Sequence, residues 1–185
     1  MYPIFLGDFT TSALTDWTVE QHVPDGYSDF VIRDQRLVFL DAGNRLLPNI
    51  PRLESFVIRG ALEADWGINN KEFSFQIFCA YDPHRRQGLL LEFGANGRGT
   101  YARLASPNGE TVAERAIEEP VAEAGVVQFE AELGNGQLKL KLNSRECLRA
   151  SLHQGCVGLI ALCRGSFLGE LRLLSLTVES DDTIE

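Results

Sequence analysis

No stretch of this chain stays apolar for anything near the ~20 residues that a membrane-crossing helix needs, so no membrane partner is expected. The amino terminus, Met1 to Phe9, has no basic segment followed by an apolar stretch of roughly 7–15 residues, and so does not read as a secretory signal. The expected location is cytoplasmic, unless the chain is a module cut from a longer protein, whose further domains would then be its neighbours. Basic residues are scarce, 17 Lys and Arg against 26 Asp and Glu for a formal net charge of −9. A phosphate backbone calls for clustered cations, so nucleic acid is excluded as a partner. The 4 cysteines show no paired C-x-x-C spacing. Cys147, His153, Cys156 and Cys163 are too irregularly spaced for a structural zinc set, and Cys79, Cys147, Cys156 and Cys163 are expected as buried free thiols. His22, His84 and His153 have no G-x-S-x-G partner. Gly94-Ala95-Asn96-Gly97 leads into no helix and is no phosphate loop. Fixed-period repeats, low-complexity tracts and long amphipathic helices are all missing.

What is present is alternation. Val127, Phe129, Ala131 and Leu133 alternate with Gln128, Glu130 and Glu132. Gly134-Asn135-Gly136 follows, and then Leu138, Leu140 and Leu142 alternate with Gln137, Lys139 and Lys141. Period two on both sides of a Gly-rich turn predicts two antiparallel strands with one buried and one wet face. Glu on one strand and Lys on the other suit cross-strand pairing.

The same reading extends along the chain. Residues 8–20 are expected as an opening segment against a sheet edge. Phe30–Ile32 and Arg36–Leu40 flank a tight turn at Arg33-Asp34-Gln35. Leu47-Pro48-Asn49-Ile50-Pro51 carries two prolines and is not expected in a central strand. Ser55–Asp65, Glu72–Tyr81, Gly88–Phe93 and Thr100–Ala105 are strong strands, and Glu110–Ala116 follows them. Ile117–Gly125 has room for one short helical turn, limited by Pro120. Cys147–Leu152, Gly158–Cys163 and Glu170–Glu179 complete about a dozen strands, the pattern of an all-β sandwich. At 44% apolar residues with 11 Phe, the 185-residue chain can fill a single two-layer core.

Three places carry a family resemblance: Gly7-Asp8-Phe9 with Thr15-Asp16-Trp17; the hairpin ending Leu138 to Arg145; and Gly158-Leu159-Ile160-Ala161 followed by Glu170-Leu171-Arg172-Leu173. Together they resemble the concanavalin A-like lectin/glucanase superfamily, in its laminin-G-like and sugar-hydrolase-associated branches. Ser144 stands where the turn often has Gly, and Glu170 where Asp is more usual. The resemblance implies a concanavalin A-like jelly-roll sandwich of two antiparallel sheets over residues 1–179, with 180–185 an acidic tail or the start of a linker. It also implies glycan binding on a concave face or at its rim loops.

Alternation places Phe56, Ile58, Gly60, Leu62, Phe73, Phe75, Ile77, Cys79, Leu89, Leu91 and Phe93 in the core. The other face is expected to carry Arg59 and Glu63, then Gln76 and Phe78, then Glu92, then Tyr101 and Arg103. Arginine forks and carboxylates bind hydroxyl groups and aromatic faces stack on sugar rings. The expected ligand is therefore an oligosaccharide or polysaccharide, held by Arg59, Gln76, Glu92, Tyr101 and Arg103 with Trp66 and Tyr81 at the rim. The same face could equally carry plain cross-strand pairs such as Glu92 with Arg103.

Catalysis is the alternative, since glycoside hydrolysis needs two carboxylates about 5–10 Å apart. Glu63-Ala64-Asp65 begins the superfamily's glucanase motif, but its second Glu falls on Gly67 or Ile68. That leaves Glu63 with Glu92 as the pair for a glycosidase. A structural or protein-interaction sandwich is the third reading. No cofactor is expected beyond structural calcium, for which Asp8 and Glu170 are the candidate ligands.

Overall fold

A computed structural model describes residues 1–7, 9–10, 14–20, 30–40, 43–65, 73–96, 99–117, 125–152, 156–165 and 170–181, with Asp65 described for its backbone only. Among these residues there are fifteen strands and no helix. Asp8, His22, Asp25-Gly26-Tyr27, Trp66, Asn69-Asn70 and His153 lie outside the described residues, as do most of 117–125 and the end of the acidic tail.

The strands form two antiparallel sheets. The first takes β1 (Tyr2–Leu6), β3 (Phe30–Arg33), β4 (Arg36–Phe39), β6 (Phe56–Asp65), β11 (Val126–Gly134), β12 (Gln137–Leu142), β13 (Arg145–Ser151) and β15 (Glu170–Ser180). Its order is β13-β12-β11-β6-β15-β4-β3, and β1 pairs with the far end of β15. The second sheet takes β2 (Trp17–Glu20), β5 (Arg45–Pro48), β7 (Phe73–Asp82), β8 (Gln87–Asn96), β9 (Gly99–Ala105), β10 (Thr111–Ile117) and β14 (Leu159–Arg164), in the order β10-β9-β8-β7-β14-β5-β2. The chain crosses between sheets at β1–β2–β3, at β4–β5–β6–β7, again at β10–β11, and at β13–β14–β15. This is jelly-roll wiring, with each sheet assembled from distant segments.

The hairpin read from the sequence forms as expected. Glu130 stands opposite Lys141 and Glu132 opposite Lys139, and the Asn135-Gly136 loop has both residues at positive φ, 51° and 68°. That is the turn geometry whose twist suits a two-residue hairpin. Asp34-Gln35 turns β3 into β4 the same way, at φ 53° and 59°. Between the sheets lies one Phe-rich core. The Phe75 ring centroid is 5.8 Å from that of Phe39, 5.7 Å from Phe93 and 5.4 Å from Phe129, so rings from both sheets interlock. Gly60 makes room for this packing: a Cβ there would fall 2.5 Å from the Phe129 ring and 2.7 Å from the Ser175 carbonyl oxygen.

One expectation holds with an addition and one needs correction. The opening segment ends in β2, at the edge of the second sheet as expected, but Tyr2–Leu6 ahead of it forms β1, a strand the sequence reading did not give, on β15 of the first sheet. Phe5 and Phe9 pack on Trp17 at 4.8 and 6.3 Å between ring centroids. The proline-bearing segment does supply an interior strand, β5, between β14 and β2. Pro48 is tolerated because β14 pairs only with Arg45 and Leu46, so the missing N–H falls beyond that ladder.

Candidate functional site

On the outer face of the second sheet, register lines up one side chain from each of its strands. Glu114 (β10) stands opposite Arg103 (β9), Arg103 opposite Glu92 (β8), and Glu92 opposite Gln76 (β7). Gln76 in turn faces Cys163 (β14), Cys163 faces Arg45 (β5), and Arg45 faces Glu20 (β2). This row crosses the strands at right angles. Beside it runs a row of smaller groups, Ala116, Tyr101, Gly94 and Ser74, with Gly165 hydrogen-bonded through its N–H to the Ser74 carbonyl at 3.0 Å. A Cβ on Gly165 would fall 2.5 Å from Gln76 Nε2 and 2.6 Å from Ser74 Oγ, so a larger residue there would push both side chains from their present places. On the other side of the row, Leu90, Phe78 and Ala161 join Leu47, Tyr81 and Cys163 in an apolar cluster separate from the main core.

Glu92 is the centre of this face. Its side chain is only 7% exposed, against 37% for Arg103. Arg103 Nη2 donates to Oε2 at 2.5 Å. Ser74 Oγ, Gln76 Nε2 (3.2 Å) and the Tyr101 hydroxyl (3.3 Å) all donate to Oε1. A carboxylate this enclosed is tolerated because three neutral donors and one cation, on the two strands that flank it, satisfy it. Burial raises the Tyr101 phenol above its ordinary range, and the Glu92 charge adds to the rise. Next to this network lies a depression of about 400 Å³, lined by Glu92, Asn96, Gly99, Thr100, Tyr101, Arg103, Glu114 and Ala116.

A second polar group occupies the β5 end of the row. The Arg45 guanidinium lies 4.2 Å from the Phe78 ring centroid and 4.8 Å from that of Tyr81. Arg45 donates to the Tyr81 hydroxyl and, at 3.1 Å, to the Arg86 carbonyl, and Tyr81 donates to Glu20. Burial pushes the Tyr81 phenol up to about 12, with its bond to Glu20 adding to the effect. Cys163, on the floor between the two polar groups, is raised to about 11 by burial. It and the other three cysteines, Cys79, Cys147 and Cys156, are free thiols, and Cys156 is half-buried.

Of the residues expected on the binding face, Gln76, Glu92, Tyr101 and Arg103 are brought together. Arg59 and Glu63 are not. Both lie on β6 in the first sheet and point from the opposite side of the sandwich. Alternation correctly marks them as outward, but it cannot say which sheet a strand joins, and β6 and β7, consecutive in sequence, join different ones. Arg59 bonds Glu130 at 2.7 Å and Glu179 at 2.8 Å, beside a second depression of about 390 Å³. Lys141 and Arg59 hold the Glu130 carboxyl below the ordinary carboxylate range. Glu63 is held by Arg36 at 2.6 Å and Arg172 at 3.2 Å.

A catalytic pair of Glu63 and Glu92 therefore does not form, because the sandwich core separates the two carboxylates. Tyr81 is also corrected: it is fully buried, and Arg45 covers its ring, so it offers no stacking platform. Glu170 Oε2 accepts from Arg172 at 2.8 Å, while Oε1 faces Arg33 at 3.7 Å and is buried without a hydrogen-bond partner. Among the described residues no group of three or more His, Cys, Asp or Glu is placed to hold a metal ion.

Ser74, Arg45, Glu20 and Glu114 were missed at the sequence level. Ser74 shares the parity of Gln76 and was available from alternation. Arg45 sits in the segment set aside for its prolines, and its place beside Cys163 depends on a pairing between residues far apart in the chain.

The sequence matches no family model and no curated protein. Solved structures share its fold. The carbohydrate binding module CBM66 from Bacillus subtilis is 15% identical, covering 92% of this chain and 99% of that one at a TM-score of 0.69. The exoplasmic/lumenal domain of VIP36, in a Ca2+/Man3GlcNAc-bound form, is 9% identical over 94% of this chain and 87% of that one, with a TM-score of 0.69. LamA from Zobellia galactanivorans, an E269S variant in complex with laminaritriose and laminaritetraose, is 9% identical over 97% and 99% of the two chains, again at 0.69. At these identities the likeness carries the fold alone, a sandwich of two antiparallel sheets.

Proposed function

We propose that this chain is a non-catalytic carbohydrate-binding module whose ligand lies on the outer face of the second sheet, over the row running from Glu114 through Arg103 and Glu92 to Gln76. The observation that supports this most is the convergence of Ser74, Gln76, Tyr101 and Arg103 on the single enclosed carboxylate of Glu92, at the side of an open depression. Sugar hydroxyls both donate and accept, and a rigid set of carboxylate, amide, phenol and guanidinium groups gives them fixed partners without reordering the protein. Shared fold supports the reading too, since the proteins with which it is shared are described as a carbohydrate binding module, a mannose-containing glycan complex and a laminarin-oligosaccharide complex. The Glu63–Glu92 pair expected for hydrolysis does not form, because Glu63 lies on the other sheet and points the other way.

The test is a thermal-shift screen against neutral and acidic oligosaccharides, run with calcium and again with chelator. A ligand at a hundred times its Kd stabilises by about 2.7 kcal/mol, a rise of roughly 5–10 °C for a domain of this size. One glycan class is expected to raise the midpoint, and Arg103→Ala and Tyr101→Phe are expected to weaken that response. A response unchanged in both variants would move the site elsewhere. No response to any glycan, combined with concentration-dependent size in solution, would point instead to a protein-interaction sandwich.

A further inference from the structure

We infer that this face selects uncharged glycans over uronate-bearing or sulfated ones, and that Glu114 on the edge strand β10 is a specificity-determining residue for that choice. The inference rests on the carbohydrate-binding reading above and adds the chemical class of the ligand.

Among the described residues lining the depression are two carboxylates, Glu92 and Glu114, and one guanidinium, Arg103. The guanidinium charge is offset by Glu92, with Nη2 2.5 Å from its Oε2, and Nε is enclosed by protein out of a ligand's reach. Once that ion pair is counted as neutral, Glu114 is left, exposed and directly across from Arg103 in register. The next cation along the row, Arg45, is held by the Tyr81 hydroxyl and the Arg86 carbonyl and stacked on two rings. Recognition of an anionic sugar calls for a free guanidinium fork or ammonium group aimed at the ligand's acid. Here the ligand meets an acceptor-rich surface on a chain of net charge −9. Neutral hydroxyls donate to such a surface. A carboxylate or sulfate is repelled, and at about 4 Å in water-like surroundings one unit charge against another is worth roughly a factor of five.

The experiment uses the intact chain. Neutral gluco-, manno- and galacto-oligosaccharides are titrated by calorimetry, alongside the same oligosaccharides oxidised at C6 to uronates, in about 20 mM and about 500 mM salt. A neutral oligosaccharide is expected to bind, with its uronate counterpart at least about fivefold weaker at low salt. High salt should narrow that gap by screening. Glu114→Gln should narrow it at low salt, while Glu146→Gln on the opposite sheet should leave it as it is. A uronate that binds as tightly as its neutral counterpart, or more tightly, overturns the inference while sparing the carbohydrate reading. So does a gap that ignores both salt and Glu114→Gln. If no oligosaccharide of either kind binds, the carbohydrate reading fails and this inference fails with it.

Discussion

Arg103 Nη2 takes one oxygen of Glu92 at 2.5 Å, and the uncharged donors Ser74, Gln76 and Tyr101 divide the other among them. The ion pair and the neutral donors thus serve different lone pairs and are energetically separable. Arg103→Ala leaves Oε2 of a nearly enclosed carboxylate without its cation, a loss of about 1–3 kcal/mol. Glu92→Gln sets an amide donor against the guanidinium and is expected to cost a similar amount. The double variant should be less destabilised than the two single losses combined, because neither group then remains unpaired. Urea denaturation of all four proteins measures the coupling. Strict additivity would show that the pair contributes nothing.

Gly60→Ala should be among the more damaging conservative changes in the chain. The new methyl would meet the Phe129 ring, which can yield, and the Ser175 carbonyl oxygen, which belongs to a paired strand and cannot. Overpacking of this kind costs about 1–3 kcal/mol, or roughly 3–10 °C of melting temperature at this size. Adding Phe129→Leu relieves only the ring contact, so calorimetry of the double variant should recover part of the loss and not all of it.

Ser144→Gly should stabilise. Asn143 and Ser144 turn β12 into β13 at φ 48° and 68°, where a side chain is strained. Glycine removes that strain but adds freedom to the unfolded chain. The balance is a gain of about 0.5 kcal/mol and a melting point higher by roughly 1–2 °C. The reverse logic applies at Asn143, whose Oδ1 accepts from the Gln128 N–H at 3.0 Å and supports the same turn. A Ser144→Gly variant that melts lower would mean that the hydroxyl does work the backbone angles do not reveal.

Glu130 should contribute to acid sensitivity. Hydrogen bonds from Lys141 and then Arg59 hold its carboxyl below the ordinary range in the folded chain, while unfolding returns it to about 4.3. Between those values the unfolded chain binds more protons, so this group's stabilisation is complete above about pH 5 and drains away as pH falls through the folded value. Glu130→Gln should lower stability at pH 7 and flatten its decline between about pH 5 and pH 2. Denaturation midpoints of both proteins across that range check the sign.

The class of fold was legible because alternation is local. Val127 to Leu142 needed only its own period and its Asn-Gly loop to declare a hairpin, and the parity of Phe73 to Cys79 declared a core face. The site was legible where consecutive strands stay in one sheet: β7, β8 and β9 are joined by short turns, so Gln76, Glu92, Tyr101 and Arg103 could be grouped without knowing the topology. It was illegible where the chain changes sheet. Arg59 and Glu63 have the right parity and the wrong sheet, because nothing local in β6 records that its neighbours are β11 and β15. Tyr81 shows a different limit. Its position at a strand end suggested an exposed ring, and only the distant Arg45 and Glu20 explain why it is buried.

β15 is the strand on which the first sheet depends, pairing with β6, β4 and β1, and Ser180 at its end donates to the Ser55 carbonyl across 125 positions of sequence. During synthesis the meander from β7 to β10 can close soon after it leaves the ribosome, since its contacts are near in sequence. β4 and one side of β6 must wait, with open edges, for the last strand to arrive. Closing such large loops is slow, and open strand edges recruit other chains. The nascent chain should therefore be most prone to aggregate after the face that carries Glu92 and Arg103 has formed and before the opposite sheet has its centre.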